Sequence, residues 1–185
     1  VLEQDSRRRE RLEEELLAAR QQFEDIIQSL PDPTFVINRE KKIVAWNRAM
    51  EELTGLSRQE MVGRGDGAYA VPFWGEPRPA LIDLIMDQET RDDLGYDFIE
   101  QYGDSLISEA FLPAFDGGRG IYAWLKASPL HDSQGNLVGA MEAIRDISER
   151  KEAERKLREL ATTDRLTGLA NRRHFMDACD NEAQR

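Results

Sequence analysis

The spacing of apolar side chains predicts a long helix at the start of the chain. Residues 1–30 contain neither Gly nor Pro, and apolar or small residues recur there at alternating steps of 4 and 3. These seam positions are Leu12, Leu16, Ala19, Phe23, Ile26 and Leu30. Such an alternation is a heptad seam, along which two helices can pack. We therefore expect a coiled-coil helix that pairs two chains in a homodimer. The alternative is an amphipathic helix that lies on its own domain.

The pattern becomes β-like after Pro31-Asp32-Pro33, which ends the helix because proline lacks a backbone donor. Two β-branched and aromatic runs, 34–38 and 42–46, flank a charged turn and predict a hairpin. Three further β-like segments follow later, separated by turn-forming residues, and predict consecutive antiparallel hairpins. These segments are 106–115, 121–130 and 137–147.

Short helices are predicted between the two groups of strands. Asn47 and Gly55 suit the N-cap and the left-handed C-terminal position of a helix over 48–54. Residues 57–60 match a capping box, which starts a second short helix, and 80–88 form an apolar helix that covers a core. The polar and acidic stretch 87–104 is interpreted as a surface insertion. The order of elements is typical of an α+β domain.

Composition narrows the possible partners. The formal net charge of −11 argues against a nucleic-acid partner, because phosphate binding relies on clustered Lys and Arg. The single cysteine, Cys179, excludes an internal disulfide and fits a reducing compartment. The chain contains no apolar run long enough to form a membrane segment. We expect a cytoplasmic protein.

Three stretches of the domain resemble PAS domains. The first is Ile43-Val44-Ala45-Trp46-Asn47-Arg48-Ala49 with Leu53-Thr54-Gly55, and the second is Ala127-Ser128-Pro129-Leu130-His131-Asp132 with Gly135 and Val138-Gly139. The third, Arg145-Asp146-Ile147-Ser148-Glu149-Arg150-Lys151, is close to the D-I-T-E-R-K sequence by which PAS domains pass into signalling helices. The resemblance covers about 24–150. It implies a PAS fold, a five-stranded antiparallel sheet with helices on one face, as a sensor domain over 31–147.

The resemblance also implies a coupling point between the sensor domain and a signalling linker helix over 148–163. The family's aspartate at the position of Asp146 ties the sheet to the outgoing helix, and Ser148 and Glu149 follow it in the motif. A carboxylate just before a helix can also accept backbone N–H bonds as a cap. Our hypothesis is that Asp146 does both.

A cavity between sheet and helices would take a small organic ligand or none. Aromatic walls with one or two polar anchors are usual for such sites. The candidate lining residues are Tyr69, Phe73, Trp74, Arg78, Tyr122 and Trp124. Each aromatic residue could instead be plain core, and Arg78 could pair with Glu76 on the surface.

Haem, flavin and metal are not expected in this domain. A haem site of the family would need a histidine on helix 80–88, whereas His131 is placed in a hairpin turn and His174 falls outside the domain. A photoactive flavin site would need a cysteine within its own motif, and Cys179 is far from it. No spacing of ligating residues suggests a metal site.

The segment Asp164-Arg165-Leu166-Thr167-Gly168-Leu169-Ala170-Asn171-Arg172-Arg173 resembles the D-x-L-T-G-L-x-N-R-R start of GGDEF domains. The resemblance implies that 164–185 are the N-terminal fragment of a diguanylate cyclase domain, which joins two GTP molecules into cyclic di-GMP with Mg²⁺. Asn171 and Asp180 would contact guanine in the intact domain, where an amide and a carboxylate match its acceptor and donor edges.

The metal-binding Gly-Gly-Asp/Glu-Glu-Phe turn is not among these 185 residues, so the segment itself is expected to be non-catalytic. Its expected function is to regulate the output domain through dimer geometry. Two alternatives stay open: a ligand-free PAS dimerisation module, and a regulator of a degenerate GGDEF domain that only binds nucleotide.

Overall fold

The computed structural model describes residues 2–87 and 94–162, which form α-helices and one β-sheet. The chain divides into two compact units, Val1–Arg145 and Asp146–Arg185. The helices of the described residues are α1 (Leu2–Ser29), α2 (Arg48–Thr54), α3 (Arg58–Met61), α4 (Val71–Trp74), α5 (Leu81–Met86), α6 (Phe115–Gly118) and α7 (Ser148–Thr162), with a 3₁₀ turn at Ala68–Ala70. The strands are β1 (Thr34–Asn38), β2 (Ile43–Trp46), β3 (Phe98–Tyr102), β4 (Ser105–Leu112), β5 (Ile121–His131) and β6 (Leu137–Asp146).

The sheet has six strands in the order β2-β1-β6-β5-β4-β3. The predicted number of five was therefore one short, because 98–102 form strand β3 and not a surface insertion. Strand β3 pairs antiparallel with β4, and all five of its residues are exposed. An exposed edge strand shows no alternation of buried and exposed positions, so its sequence carried no strand signal.

Local signals at the first short helices are confirmed. The side chain of Asn47 accepts a hydrogen bond from the Met50 N–H at 2.9 Å, and Gly55 closes α2 with a φ of 72°. Ser57 and Glu60 form a reciprocal capping box at α3. The helix predicted over 80–88 is shorter in the structure, where α5 ends at Met86.

The core lies between the inner face of the sheet and helices α2 to α5. Strand residues that point inward alternate with residues that point outward, as the pleat requires. On β5, for example, Ala123 and Leu125 are buried, while Tyr122 is 41% exposed. Gly139 marks a close approach of strands, since a Cβ there would lie 2.2 Å from the Ile37 carbonyl oxygen.

Helix α1 packs on the domain only near its C-terminal end. Ile27 is buried against Val36 and Ala45, and the half-buried Leu30 contacts the same cluster. Farther back, Glu24 pairs with Arg58 at 3.3 Å. Most of the predicted seam stays open in this single chain: Leu12, Leu16, Ala19, Phe23 and Ile26 are exposed. The last turn of α1 therefore lies on its own domain, as the alternative interpretation expects. The exposed seam residues before it are open to a partner chain.

Asn47 joins the end of α1 to the start of the domain. It is fully buried, and its Oδ1 accepts from the Thr34 and Met50 N–H groups, both at 2.9 Å. Its Nδ2 donates to the carbonyl oxygens of Leu30 at 3.2 Å and Asp32 at 2.9 Å. A predicted helix cap is thus also the junction between α1, β1 and α2.

Within the described residues, no helix is both long enough and apolar enough to cross a membrane.

Candidate functional site

Two carboxyl side chains lie in the core between α5 and β6. Asp83 is in the first turn of α5, and Glu142 points inward from β6 between Ala140 and Ile144. Each residue is only 2% exposed. Buried carboxyls are uncommon because desolvation penalises their charge, so they need partners or a proton. We refer to Asp83 and Glu142, together with the neighbouring Lys41, Tyr69 and Tyr96, as the acidic cluster.

Several hydrogen-bond donors surround the Asp83 carboxylate. The Tyr69 hydroxyl lies 2.8 Å from both of its oxygens, and the Ala80 N–H donates to Oδ2 at 2.8 Å. Lys41 Nζ lies 3.1 Å from Oδ1 and 2.6 Å from Asp87 Oδ2. Burial alone would lower the pKa of Lys41, but its bonds to Asp87 and Asp83 outweigh burial and raise it. The ammonium group therefore supplies the counter-charge to Asp83.

The tyrosines of the cluster hold their protons tightly. Burial, and then the negative charge of Asp83, raise the pKa of the Tyr69 phenol. Burial, and then the charge of Glu142, raise the pKa of Tyr96, although the backbone N–H of Leu81 works in the opposite direction. The Tyr69 phenol therefore keeps its proton at neutral pH and donates it to Asp83.

Glu142 has a different environment. Its Oε2 accepts the Ile82 N–H at 2.8 Å, which links β6 to α5. Among the described residues, no Lys, Arg or His lies within ion-pair distance of it. Burial raises the pKa of Glu142 to about 8; the bond from Ile82 opposes this rise and the charge of Asp83 adds to it. Glu142 is therefore mostly protonated at neutral pH.

The predicted ligand-lining residues fall into two groups. Tyr69 and Phe73 are buried core residues, with Tyr69 stacked on Phe35 at 5.2 Å between ring centroids. Trp74 meets Tyr96 edge-on at 6.1 Å, and the Arg78 guanidinium lies 4.3 Å from the centroid of the Trp74 ring. Arg78 thus covers an aromatic ring, and the structure shows no pair between Arg78 and Glu76 in its described part.

Tyr122 and Trp124 lie on the opposite, outer face of the sheet. Tyr122 packs against Phe111 at 5.1 Å, and the Arg145 guanidinium lies 5.6 Å from the Trp124 ring centroid. Their expected place in the same cavity wall is therefore wrong. The reason is strand parity, since Ala123 and Leu125 occupy the inward positions of β5.

An open cleft of about 750 Å³ lies beside α5 and strands β3 and β4. It is lined by Leu84, Ile85, Ile99, Gln101, Asp104, Leu106, Pro129, His131 and Leu137. None of the six predicted lining residues is among them. The cleft depends on β3, which the sequence interpretation missed. His131 ends β5 and borders this cleft, so it is not in the turn itself.

The coupling residues lie at the start of the second unit. Asp146 Oδ1 accepts the Ser148 N–H at 2.8 Å, as expected for a helix cap, and Glu149 is in the first turn of α7. The nucleotide-binding candidates Asn171 and Asp180 lie outside the described residues. Within the described residues, no group of three or more His, Cys, Asp and Glu side chains could hold a metal ion.

Sequence reasoning missed Lys41, Asp83 and Glu142. A signal for Glu142 was present, because inward and outward positions alternate along β6 and place it between Ala140 and Ile144. Asp83 likewise interrupts an otherwise apolar helix, Leu81–Met86. No local pattern could have shown that Lys41, in the turn between β1 and β2, reaches α5.

Comparisons with known proteins agree with this architecture. A family model described as the PAS fold matches residues 21–65. The signal transduction histidine-protein kinase AtoS of Escherichia coli (strain K12) is 26% identical over 144 residues, which are 78% of this chain and 20% of that protein. The aerobic respiration control sensor protein ArcB of the same strain is 29% identical over 145 residues, or 78% of this chain and 16% of ArcB. The chain thus spans a fifth or less of these relatives.

Two solved structures share the fold at low sequence identity. An RNA-binding light-oxygen-voltage receptor has a TM-score of 0.52 at 18% identity, covering 74% of this chain and 35% of that one. A complex of phage VqmA with DPO has a TM-score of 0.51 at 17% identity, covering 80% of this chain and 62% of the other. These likenesses and the element order confirm the expected α+β PAS fold, with six strands in place of five.

Proposed function

We propose that this chain is the sensory and regulatory segment of a diguanylate cyclase. The observation that carries the proposal is the order of elements at its C-terminal side. Strand β6 of the PAS fold ends at Asp146, α7 runs over Ser148–Thr162, and the GGDEF-like sequence begins at Asp164. A sensor fold that is followed by a helix and then by the start of an output domain would allow the sensor to act on that output.

The proposed output domain differs from the functions named for the relatives. AtoS and ArcB are a histidine-protein kinase and a respiration control sensor, and the part that resembles this chain is a small fraction of each. They support a role in signal transduction for the shared PAS part. The segment Asp164–Arg173 favours a cyclase, since it matches the start of a GGDEF domain. The intact domain would act in the cytoplasm on GTP and Mg²⁺, with Asn171 and Asp180 at guanine.

A homodimer is the proposed route of control. Leu12, Leu16 and Phe23 of α1 are exposed apolar residues at heptad spacing, and Leu157 and Leu160 of α7 are exposed as well. Pairing of two chains would bury these side chains. A cyclase needs two GTP molecules held by two subunits, so the distance and rotation between paired α7 helices would set activity. Asp146 would transmit movement of the strand to that helix.

The first test is the dimer itself. Leu16→Glu places a charge in the seam, whereas Leu17→Glu changes an equally exposed leucine one position away from it. Analytical ultracentrifugation of the 185-residue chain is expected to show a dimer for wild type and Leu17→Glu, and a monomer for Leu16→Glu. Identical behaviour of the two variants would contradict pairing along this seam.

The second test is activity. The protein that continues past Arg185 through a complete GGDEF domain is expected to convert GTP to cyclic di-GMP, measured by mass spectrometry. Leu16→Glu should reduce the rate at least tenfold, because two half-sites no longer meet. A GGDEF domain that lacks an intact metal-binding turn and gives no product with any variant would favour a degenerate domain that only binds nucleotide.

The coupling role of Asp146 needs its own comparison. In the same longer protein, Asp146→Ala is expected to remove the response of activity to the stimulus, while Asp146→Asn keeps part of the cap. A lower stability with unchanged regulation would reduce Asp146 to a helix cap.

A ligand-free dimerisation module is the second candidate, and one observation favours it. Tyr69 and Phe73, two of the predicted cavity residues, are buried core side chains between sheet and helices. The cleft beside α5 favours a small organic ligand instead, as does the complex of VqmA with DPO among the similar structures. Mass spectrometry of material released from the purified protein, with a thermal-shift screen of small acids, separates the two: no ligand and no shift support the module.

A further inference from the structure

The carboxyl group of Glu142 connects the centre of the sheet to α5. Strand β6 lies between β1 and β5, and Glu142 projects from its inner face. The bond from the Ile82 N–H to Glu142 Oε2 spans 60 positions of sequence. Apolar packing holds α5 as well, since Leu81 and Ile82 are fully buried in the core, and this bond adds a polar contact at the first turn.

We propose that Glu142 is a proton-operated contact: α5 packs against β6 while the buried side chain is protonated, and loss of the proton drives α5 outward because hydration of the charge outweighs the bond from Ile82. The proposal concerns the folded chain itself and does not depend on the identity of the output domain.

The charged groups that the structure describes around Glu142 leave no cation for an ionised carboxylate. Lys41 is bound to both Asp83 and Asp87. Arg78 lies over the Trp74 ring, and its positive charge acts to lower the pKa of Tyr96. Tyr69 donates its hydroxyl to Asp83. Ionised Glu142 would therefore be a buried carboxylate near the buried Asp83 carboxyl, without a counter-charge among the described residues.

Outward movement of α5 is the simplest relief for that charge. It would admit water to the carboxylate and free the Ile82 N–H for exchange with solvent. The pKa of Glu142, raised by burial to about 8, places the transition close to physiological pH. Because Glu142 precedes Asp146 by four residues on the same strand, such a change would act on the segment that leads into α7.

The experiment compares wild type with Glu142→Gln, which keeps a hydrogen-bond acceptor for Ile82 but cannot ionise. Glu100→Gln, on the exposed strand β3, is the matched control. Hydrogen exchange of the Ile82 amide is measured from pH 5.5 to 9 in the 185-residue chain. The ratio of the wild-type rate to the Glu142→Gln rate removes the intrinsic pH dependence of exchange.

We expect this ratio to rise by about tenfold per pH unit up to about pH 8 and then to level off, as linkage to one proton requires. Glu100→Gln should follow wild type. In parallel, the side-chain ¹³C resonance of Glu142 in wild type should titrate near the same pH. A ratio that stays constant, or a Glu142 resonance already ionised at pH 6, overturns the proposal. The wild-type resonance decides the question even when Glu142→Gln does not fold.

Discussion

Asp83 and Glu142 are buried to the same extent on two elements that face each other, and their surroundings differ in almost every other respect. Asp83 has a phenol, a backbone N–H and the ammonium group of Lys41 as partners. Glu142 has the Ile82 N–H and no cation in the described part of the chain. The difference shows that two equally buried carboxyls can have different partners. A nearby cation offsets the cost of desolvation at Asp83, and Glu142 has none among the described residues.

The largest effect is expected from removing the paired carboxyl. Asp83→Ala leaves the Tyr69 hydroxyl, the Ala80 N–H and the Lys41 ammonium without their common acceptor. We expect a loss of about 3–5 kcal/mol in the free energy of unfolding, measured by urea denaturation at pH 7. Asp87→Ala removes the other, exposed partner of Lys41 and should cost less than about 1 kcal/mol. Equal losses would show that Lys41, not the buried site, determines the result.

Removal of the Lys41 ammonium group should leave Asp83, like Glu142, without a counter-charge. In Lys41→Met the carboxylate keeps its two neutral donors but loses its counter-charge, and we expect a loss of about 1–3 kcal/mol at pH 7. Lys42→Met, at the neighbouring exposed pair with Glu40, is the control and should change little. A loss no larger than that of Lys42→Met would contradict a charge effect.

A smaller effect is expected from the phenol. Tyr69→Phe removes one donor to Asp83 but keeps the ring that stacks on Phe35, so the free energy of unfolding should fall by about 1–2 kcal/mol. Tyr102→Phe, at a ring that is 72% exposed, should fall within about 0.5 kcal/mol of wild type in the same denaturation experiment.

The smallest effect at low pH, and a reversal at high pH, is expected for Glu142→Gln. The folded pKa of Glu142 lies above its ordinary value of 4.5, so its stabilising contribution is complete below that value and declines as pH rises to about 8. At pH 5 the variant should lie within about 1 kcal/mol of wild type. At pH 9 Glu142→Gln should have the higher free energy of unfolding, by up to several kcal/mol. Parallel stability curves would show that Glu142 stays ionised in the folded protein.

Local sequence signals predicted the elements that depend on near neighbours. Strand β1 and helix α2 have the bounds expected from the sequence, since Asn47 and Gly55 define the helix ends by their own conformational preferences. The helix α1 likewise follows from an uninterrupted charged segment. These features could be predicted because their causes lie within a few residues.

The acidic cluster and the edge strand depend on distant parts of the chain. β3 is a strand because β4 offers it an open edge, and its own residues are all exposed. Lys41 contacts Asp83 although 42 positions separate them in the sequence, and no local periodicity could predict such a contact. Tyr122 and Trp124 were misplaced for a different reason. Their aromatic character suggested a cavity, while the alternation along β5 already assigned them to the outer face.

The four hydrogen bonds of Asn47 fix the rotational phase of α1 relative to the sheet. The Leu30 carbonyl can reach Asn47 only when the helix ends at one azimuth, and each residue of an α-helix turns that azimuth by about 100°. One residue inserted before Leu30 would therefore rotate the stripe of Leu12 and Leu16 away from its present direction. Seven inserted residues would restore it to within about 20°. The number of residues between the seam and Leu30 therefore sets the direction from which a partner helix must approach.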